Sequence, residues 1–314
     1  MSDRPRWLPH AFPSPAMTSL NDNKAEGSLP SVAIPSRTLG SRRGGRPRKT
    51  NHTTGTSASL ASAFAAASDG FPFPDRLTAA QRTRAGEVVR AFQRWVQEGS
   101  TVADLGTGMA FVPSVLSEFG YRAIGVDDYG DPWHDRNVVD DLRNYAKGRF
   151  DLRCERIEEF EPSQLLDGAS LIDVIEHLHD SPRALLGHVA RILRPGAICI
   201  VVMPNSVNLR KRVDVVRGHT PYPRLEDFFD ADPPWRGHVR EYTPSETGRL
   251  LTLAGFELVQ VRTFHSIALD RLQGVSLAAY RAVTALVPDA RDTILAVGRS
   301  SNDARFRPEM ATGQ

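Results

Sequence analysis

Apolar and polar residues follow two alternating periods along most of this chain. Short runs of strand length recur as TVADLG (101–106), YRAIGVDDYG (121–130), FDLRCERI (150–157), ASLIDVI (169–175), AICIVVMPN (197–205), FELVQVRTF (256–264) and TILAVGRS (293–300). Between them, apolar residues three and four apart mark amphipathic helices. FVPSVLSEFG closes at Gly120. SPRALLGHVARILRPG has Ser181 as N-cap, Pro182 in its first turn and Pro195-Gly196 as its stop. TPSETGRLLTLAGF is capped by Thr243 or Ser245 and ends at Gly255. Residues 71–100 read as one amphipathic helix, capped by Asp75, stopped by Gly99 and carrying Leu77, Val88, Val89, Phe92, Trp95 and Val96 on its apolar face. The fifth apolar run is the purest, as expected of a strand buried on both faces. This alternation predicts an α/β fold with a seven-stranded, mostly parallel sheet flanked by helices. Ligands of such sheets sit at the carboxyl ends of the strands. Two inserts interrupt the alternation, at 206–241 and 265–291; the second reads as helical.

Composition divides the chain in two. Over 314 residues it is 40% hydrophobic and 24% charged, ordinary for a globular protein. The first 70 residues are different: Pro, Ser, Thr, Asn and Gly dominate, no apolar period persists, and the balance is basic, whereas the remainder is mildly acidic. A disordered basic tail over 1–70 and a folded domain over 71–314 are expected. Inside the tail, GGRPRK resembles an AT-hook, an element of narrow minor grooves, but glycine replaces the hook's first arginine. Nucleic-acid binding through this tail is the weaker reading beside simple solvated charge. The two cysteines, Cys154 and Cys199, give no disulfide framework or zinc pattern, which favours a reducing, cytoplasmic setting. No apolar run reaches the ~18–20 residues of a membrane span, and the N-terminus lacks the apolar core of a secretory signal.

The chemistry starts at Asp104-Leu-Gly106-Thr-Gly108-Met-Ala110. A dinucleotide turn, G-x-G-x-x-G, would need glycine where Phe111 stands, so a nicotinamide oxidoreductase is disfavoured. The acid before the first glycine resembles instead the first motif of class I S-adenosylmethionine-dependent methyltransferases, with Ala110 at its third glycine. Further segments carry the same resemblance in order: IGVDD, DVIEHLHD (173–180), RILRPGA, and GHVREYTPSETGRLLTLAGFELV. DVIEHLHD in particular resembles methyltransferases that modify ubiquinone and sugars. The resemblance spans roughly Ser100–Phe264 and implies a Rossmann-like fold, the cofactor S-adenosyl-L-methionine, and a small-molecule or glycan acceptor.

Site roles follow from that resemblance. Gly106 and Gly108 would let the backbone approach the methionine portion. Asp104 would face its charged end, or be only a solvated strand-end acid. Asp127, or Asp128, would accept from the ribose hydroxyls. The family often has an acid after strand three near the adenine amine; Arg156 stands there, and arginine donates only. Ile157 packing would serve the adenine, with Glu155 and Glu158 as substitutes. Asp173 would lie between cofactor and acceptor, or cap a helix. His177, Asp173 and His238 are the candidate bases for O-methylation, since a hydroxyl must lose its proton and imidazole titrates near neutrality. His179 is expected to be exposed. No secure metal-ligand triad is legible near strand four. Asn205, Arg210, Arg212, Tyr222, Trp235, His238, Arg240 and Tyr242 make insert 206–241 a candidate lid or acceptor pocket; aromatic faces suit rings or sugars, and arginines suit phosphate or carboxylate. DVIE in place of an NPPY-type tetrad counts against methylation of a base amine. Oligomeric state is not legible.

Overall fold

The structure, a computed structural model, describes residues 59–130, 136–267 and 272–301. The seven strands are β1 (Thr101–Leu105), β2 (Arg122–Asp127), β3 (Asp151–Cys154), β4 (Leu166–Ile172), β5 (Leu193–Pro204), β6 (Phe256–Phe264) and β7 (Thr293–Ser300). They form one sheet in the order β3-β2-β1-β4-β5-β7-β6. β1 to β5 are parallel; β7 runs antiparallel between β5 and β6. The seven-stranded, mostly parallel sheet expected from the pattern is therefore present. β1 stands where the order turns, with β2 and β3 on one side and β4 and β5 on the other. Crossovers diverge at that point and leave a crevice above the carboxyl ends of β1 and β4.

The period-two pattern explains the layers. Ile198, Ile200 and Val202 of β5 enter one apolar cluster, with Val88, Val89 and Phe92. Ala197, Cys199, Val201 and Met203 enter the opposite one, with Leu185, Leu186 and Val189. Successive side chains point to opposite faces, so β5 is apolar at every step because both faces are covered. The covering helices are α1 (Leu60–Ser68), α2 (Ala79–Trp95), α3 (Phe111–Glu118), α4 (Arg136–Ala146), α5 (Arg183–Ile192) and α8 (Pro244–Leu253). The inserts carry α6 (Leu209–Val216), α7 (Leu225–Phe229) and α9 (Gly274–Leu286). Among the described residues no helix is long and apolar enough to cross a membrane.

Several local expectations are corrected. The tail does not extend to residue 70. Residues 60–68 form α1, capped by Ser59, with Ala63 and Ala67 buried in the core and Phe64 edge-on to Phe111 at 5.5 Å. Alanine spacing gives no strong apolar signal, yet small side chains permit close packing on α3. The segment 71–100 is not one helix. A 3-10 turn at Pro74–Arg76 precedes α2, whose cap is Thr78, not Asp75, because Thr78 and Gln81 satisfy each other's backbone N–H in a capping box. The helix ends at Trp95 rather than Gly99. α5 ends at Ile192, before Pro195-Gly196. Pairing jumps from Leu166↔Leu193 to Gly168↔Ile198, so the Pro-Gly pair lies in an irregularity of β5. α4 was not anticipated. Thr243 does cap α8, again through a capping box, with Glu246. The AT-hook-like stretch lies outside the described residues.

Candidate active site

β1 delivers Asp104 and the glycine turn into the crevice. Asp104 sits opposite Ser170 in the β1–β4 register. Its Oδ1 accepts from Ser170 Oγ at 2.7 Å and its Oδ2 from Thr107 Oγ1 at 2.9 Å. It is 2% exposed, which removes the reading as a solvated strand-end acid. Burial pushes its carboxyl up to about 6; the two hydroxyls oppose this, and Asp127 adds to it. Gly106 holds φ +75°, and a Cβ there would come within 2.4 Å of Val174 Cγ2. Gly108, at φ +52°, has open space where a Cβ would be. Ala110 adopts the same left-handed region, φ 54°, as the N-cap of α3. The alanine thus occupies a conformation that glycine adopts more readily.

The end of β2 grips this turn. The amides of Gly106 and Thr107 donate to Val126 O at 2.8 and 3.0 Å. Asp127 Oδ2 accepts from Gly108 N at 2.8 Å and its Oδ1 from Tyr129 N at 2.9 Å. Asp127 therefore braces the glycine turn. Asp128 is exposed and accepts from Gly130 N at 2.8 Å. After β4, Asp173 continues the ladder through its N–H to Val202 O at 2.9 Å, with φ 53°. It is not a helix cap: the 3-10 turn Ile175–His177 begins from Val174 without a side-chain cap. Asp173 pairs instead with Arg84 of α2. Burial raises its carboxyl, with Arg84 the main opposing charge.

Asp104, Gly106, Gly108, Asp127, Asp128, Ile157, Asp173 and His177 all line one cavity of about 700 Å³, within the range of small-molecule sites. Arg84, Phe111, Arg156, Glu158 and Trp235 are also in its walls. Glu155 is not among them. Arg84 carries no signal in the sequence, where its position on α2 looks like that of any helix arginine. The turn, the braced Asp127 and a cationic group fit a nucleoside carrying an amino-acid tail: the left-handed glycines leave backbone facing the cavity, and Arg84 suits a carboxylate.

A second cavity of about 620 Å³ adjoins the first. It is lined by His179, Thr220, Tyr222, Pro223, Leu225, Phe228, Trp235, His238 and Val239. His179 and Trp235 belong to both walls. The turn after β4 holds the returning limb of the insert. Glu176 O accepts from Val239 N and Arg240 N at 2.7 and 3.2 Å. His177 Nδ1 donates to Arg236 O at 3.0 Å, since a carbonyl can only accept, and His179 Nε2 lies 2.7 Å from Trp235 O. His179 is exposed, as expected, yet lines both cavities. The rings of His177 and His238 meet edge to face at 4.9 Å. Burial, then the neighbouring His238, holds His177 below the usual imidazole value, so it stays neutral at pH 7.

Glu176 is fully buried and neither of its carboxyl oxygens has a hydrogen-bond partner among the described residues. Burial and then the charge of Asp173 push its carboxyl well above the ordinary carboxylate range. Glu176, His177 and His238 also bring one donor atom each within 4.8 Å of the others, a grouping that sequence spacing did not suggest.

Other insert candidates separate. Asn205 is fully buried and serves structure, its Nδ2 donating to Asp289 O and Arg291 O at 2.8 and 2.7 Å. Tyr242 is buried with the Arg240 guanidinium over its ring at 5.0 Å. Arg210 and Arg212 are exposed and line neither cavity. Tyr222, Trp235 and His238 remain at the second cavity.

A family profile described as methyltransferase domain matches residues 78–261. The chain is 29% identical over 107 residues to a ubiquinone biosynthesis O-methyltransferase of Rhodopseudomonas palustris, covering 34% of this chain and 41% of that protein. It is 30% identical over 105 residues to one of Bradyrhizobium sp., covering 33% and 39%. The chain thus spans about two-fifths of the length of these curated relatives. Among solved structures, it aligns with a Burkholderia thailandensis 1,6-didemethyltoxoflavin-N1-methyltransferase at TM-score 0.47 and 16% identity, over 81% of this chain and 94% of that one. It aligns with an S-adenosylmethionine-dependent methyltransferase of Archaeoglobus fulgidus at TM-score 0.45 and 17% identity, over 68% and 94%. With the family profile covering more than half its length, and with a glycine turn braced at the switch point of its sheet, this chain belongs to the class I S-adenosylmethionine-dependent methyltransferases.

Proposed function

We propose that this protein methylates a hydroxyl oxygen on an apolar, ring-bearing small molecule, with His238 as the base. The observation that carries this reading is the pair of cavities joined through Trp235 and His179. The first has the polar, glycine-lined wall suited to the cofactor. The second has no Asp, Glu, Lys or Arg in its lining, and Phe228 packs edge-on to Trp235 at 5.2 Å. An acceptor carrying phosphate or carboxylate would find no counter-charge there, whereas a planar apolar body gains from burial against aromatic faces. The relatives named as ubiquinone biosynthesis O-methyltransferases support oxygen as the acceptor atom.

Gly106, Gly108, Asp127 and Ile157 would hold the cofactor's nucleoside and Arg84 its carboxylate. Bound there, S-adenosylmethionine supplies a methyl group made electrophilic by its sulfonium. The chain's own work is positioning and proton removal. Trp235 and Phe228 would orient the ring at the junction of the cavities. His238 would take the hydroxyl proton as the oxygen becomes the nucleophile, an effect on the order of 10²–10⁴-fold. Neutral His177 beside it avoids placing a second positive charge next to the imidazolium that forms.

Two measurements test this reading. Calorimetry with S-adenosylmethionine should show one site on the folded chain; no binding would sink the cofactor assignment. Mass spectrometry across neutral phenols, sugars and phosphorylated acceptors should find the methyl on a phenol oxygen. Preference for a phosphorylated or saccharide acceptor would overturn the acceptor class.

A further inference from the structure

α6 is an exposed helix with one buried residue, and that residue is a lysine. Arg210, Arg212, Val213 and Val215 lie in solvent or near it, while Lys211 is 8% exposed. Burying an ammonium is costly unless it is paired. The helix start makes the placement deliberate: Asn208 caps α6 by accepting from Lys211 N at 3.1 Å, and its Nδ2 donates to Asn205 O at 2.8 Å, tying the cap to the end of β5. The Lys211 ammonium pairs with Glu241 Oε2. The other oxygen, Glu241 Oε1, lies 2.7 Å from Nδ1 of His238.

We propose that Lys211 and Glu241 are positioning residues for methyl transfer, holding His238, which lines the second cavity, in the tautomer that leaves Nε2 free. This rests on the reading of His238 as the base. The carboxylate can only accept, so Nδ1 must carry the proton and Nε2 must keep its lone pair. Burial alone would raise the Glu241 carboxyl, but hydrogen bonds from His238 and Lys211 and the lysine charge carry it below its ordinary value. Glu241 therefore remains charged at working pH and stabilises the imidazolium formed when His238 takes a proton. The other groups around His238 are the His177 ring, the Asp173 carboxylate and the buried Glu176. None of these is hydrogen-bonded to Nδ1. A Lys–Glu pair that only fastened the insert would have no reason to spend one carboxylate oxygen on a histidine that opens onto a cavity.

Glu241→Gln, Lys211→Met and wild type should be compared using para-cresol and para-nitrophenol as acceptors. Glu241→Gln should lower kcat for para-cresol by about 100-fold or more, Lys211→Met by about tenfold, with S-adenosylmethionine affinity unchanged. The deficit should shrink for para-nitrophenol, whose proton is already lost near neutrality; a structural defect would affect both acceptors equally. Nitrogen-15 spectra of histidine-labelled protein should show His238 protonated at Nδ1 in wild type and shifted toward Nε2 in Glu241→Gln. That spectrum needs no turnover, so it tests the chain of contacts even if neither phenol is methylated, and the wild-type spectrum alone serves if the variants do not fold. A wild-type His238 protonated at Nε2 would overturn the proposal. So would a Glu241→Gln enzyme with unchanged kcat, equal losses on both phenols, or activity restored by an added divalent cation.

Discussion

The cavity at the glycine turn and the cavity at the insert share a wall but are built differently. The first is made at strand ends inside the sheet, where Asp104, Gly106 and Thr107 are held by ladder neighbours and by Val126. The second hangs on a limb that contacts the sheet mainly through the turn after β4, and its apolar residues are largely in solvent: Tyr222 is 78%, Leu225 73% and Phe228 58% exposed. On the proposed function, the braced half would fix the cofactor, while the exposed half could vary its acceptor. Loops positioned by a rigid scaffold are where function diversifies.

That difference can be broken at several points. The largest effect is expected from Gly106→Val. The branched side chain would meet Val174 and would have to adopt a left-handed backbone. Calorimetry should show S-adenosylmethionine affinity falling by about 100-fold or more; affinity within threefold of wild type would mean that the turn is not the cofactor's. Next, Trp235→Ala should raise KM for a phenolic acceptor by roughly tenfold, as expected of an aromatic anchor, while cofactor affinity changes little. Equal losses on both sides would show that the shared wall does not divide the two tasks.

Asp104→Asn sharpens the contrast through stability. The folded carboxyl at about 6 lies above its ordinary 3.8. Between those values the folded state binds more protons than the unfolded one, so wild-type stability falls as pH rises through this window. The variant lacks that loss. Its melting temperature should match wild type near pH 4 and exceed it above pH 7, by up to roughly 3 kcal/mol in free energy, while cofactor binding weakens. A gap that stays constant with pH would contradict the burial argument. The smallest effect is expected from Ala110→Gly. Relief of the left-handed backbone, about 1–2 kcal/mol, is offset by added unfolded-state entropy and a lost buried methyl, about 0.5–1 kcal/mol each. A melting curve within about 1 kcal/mol of wild type and unchanged cofactor affinity should result.

The same division separates what was legible. The strands, the capping of α8 by Thr243 and the glycine turn are local signals, repeated within a few residues. Phe71–Gly99 misled because two competing caps, Asp75 and Thr78, lie three residues apart, and only Thr78 has Gln81 to complete a box. The alanine-rich α1 was hidden because its burial depends on α3, not on its own periodicity.

By itself, the sequence determined the alternation of strands and helices, both buried faces of β5 and the glycine turn after β1, because each follows from residues adjacent in the chain. Tertiary structure alone decided that Arg84 meets Asp173, that Glu176 is buried beside Asp173, and that Lys211 and His238 meet on Glu241. Those pairs are separated by up to 89 positions along the chain, and their charges and protonation states depend on burial, which no local pattern encodes.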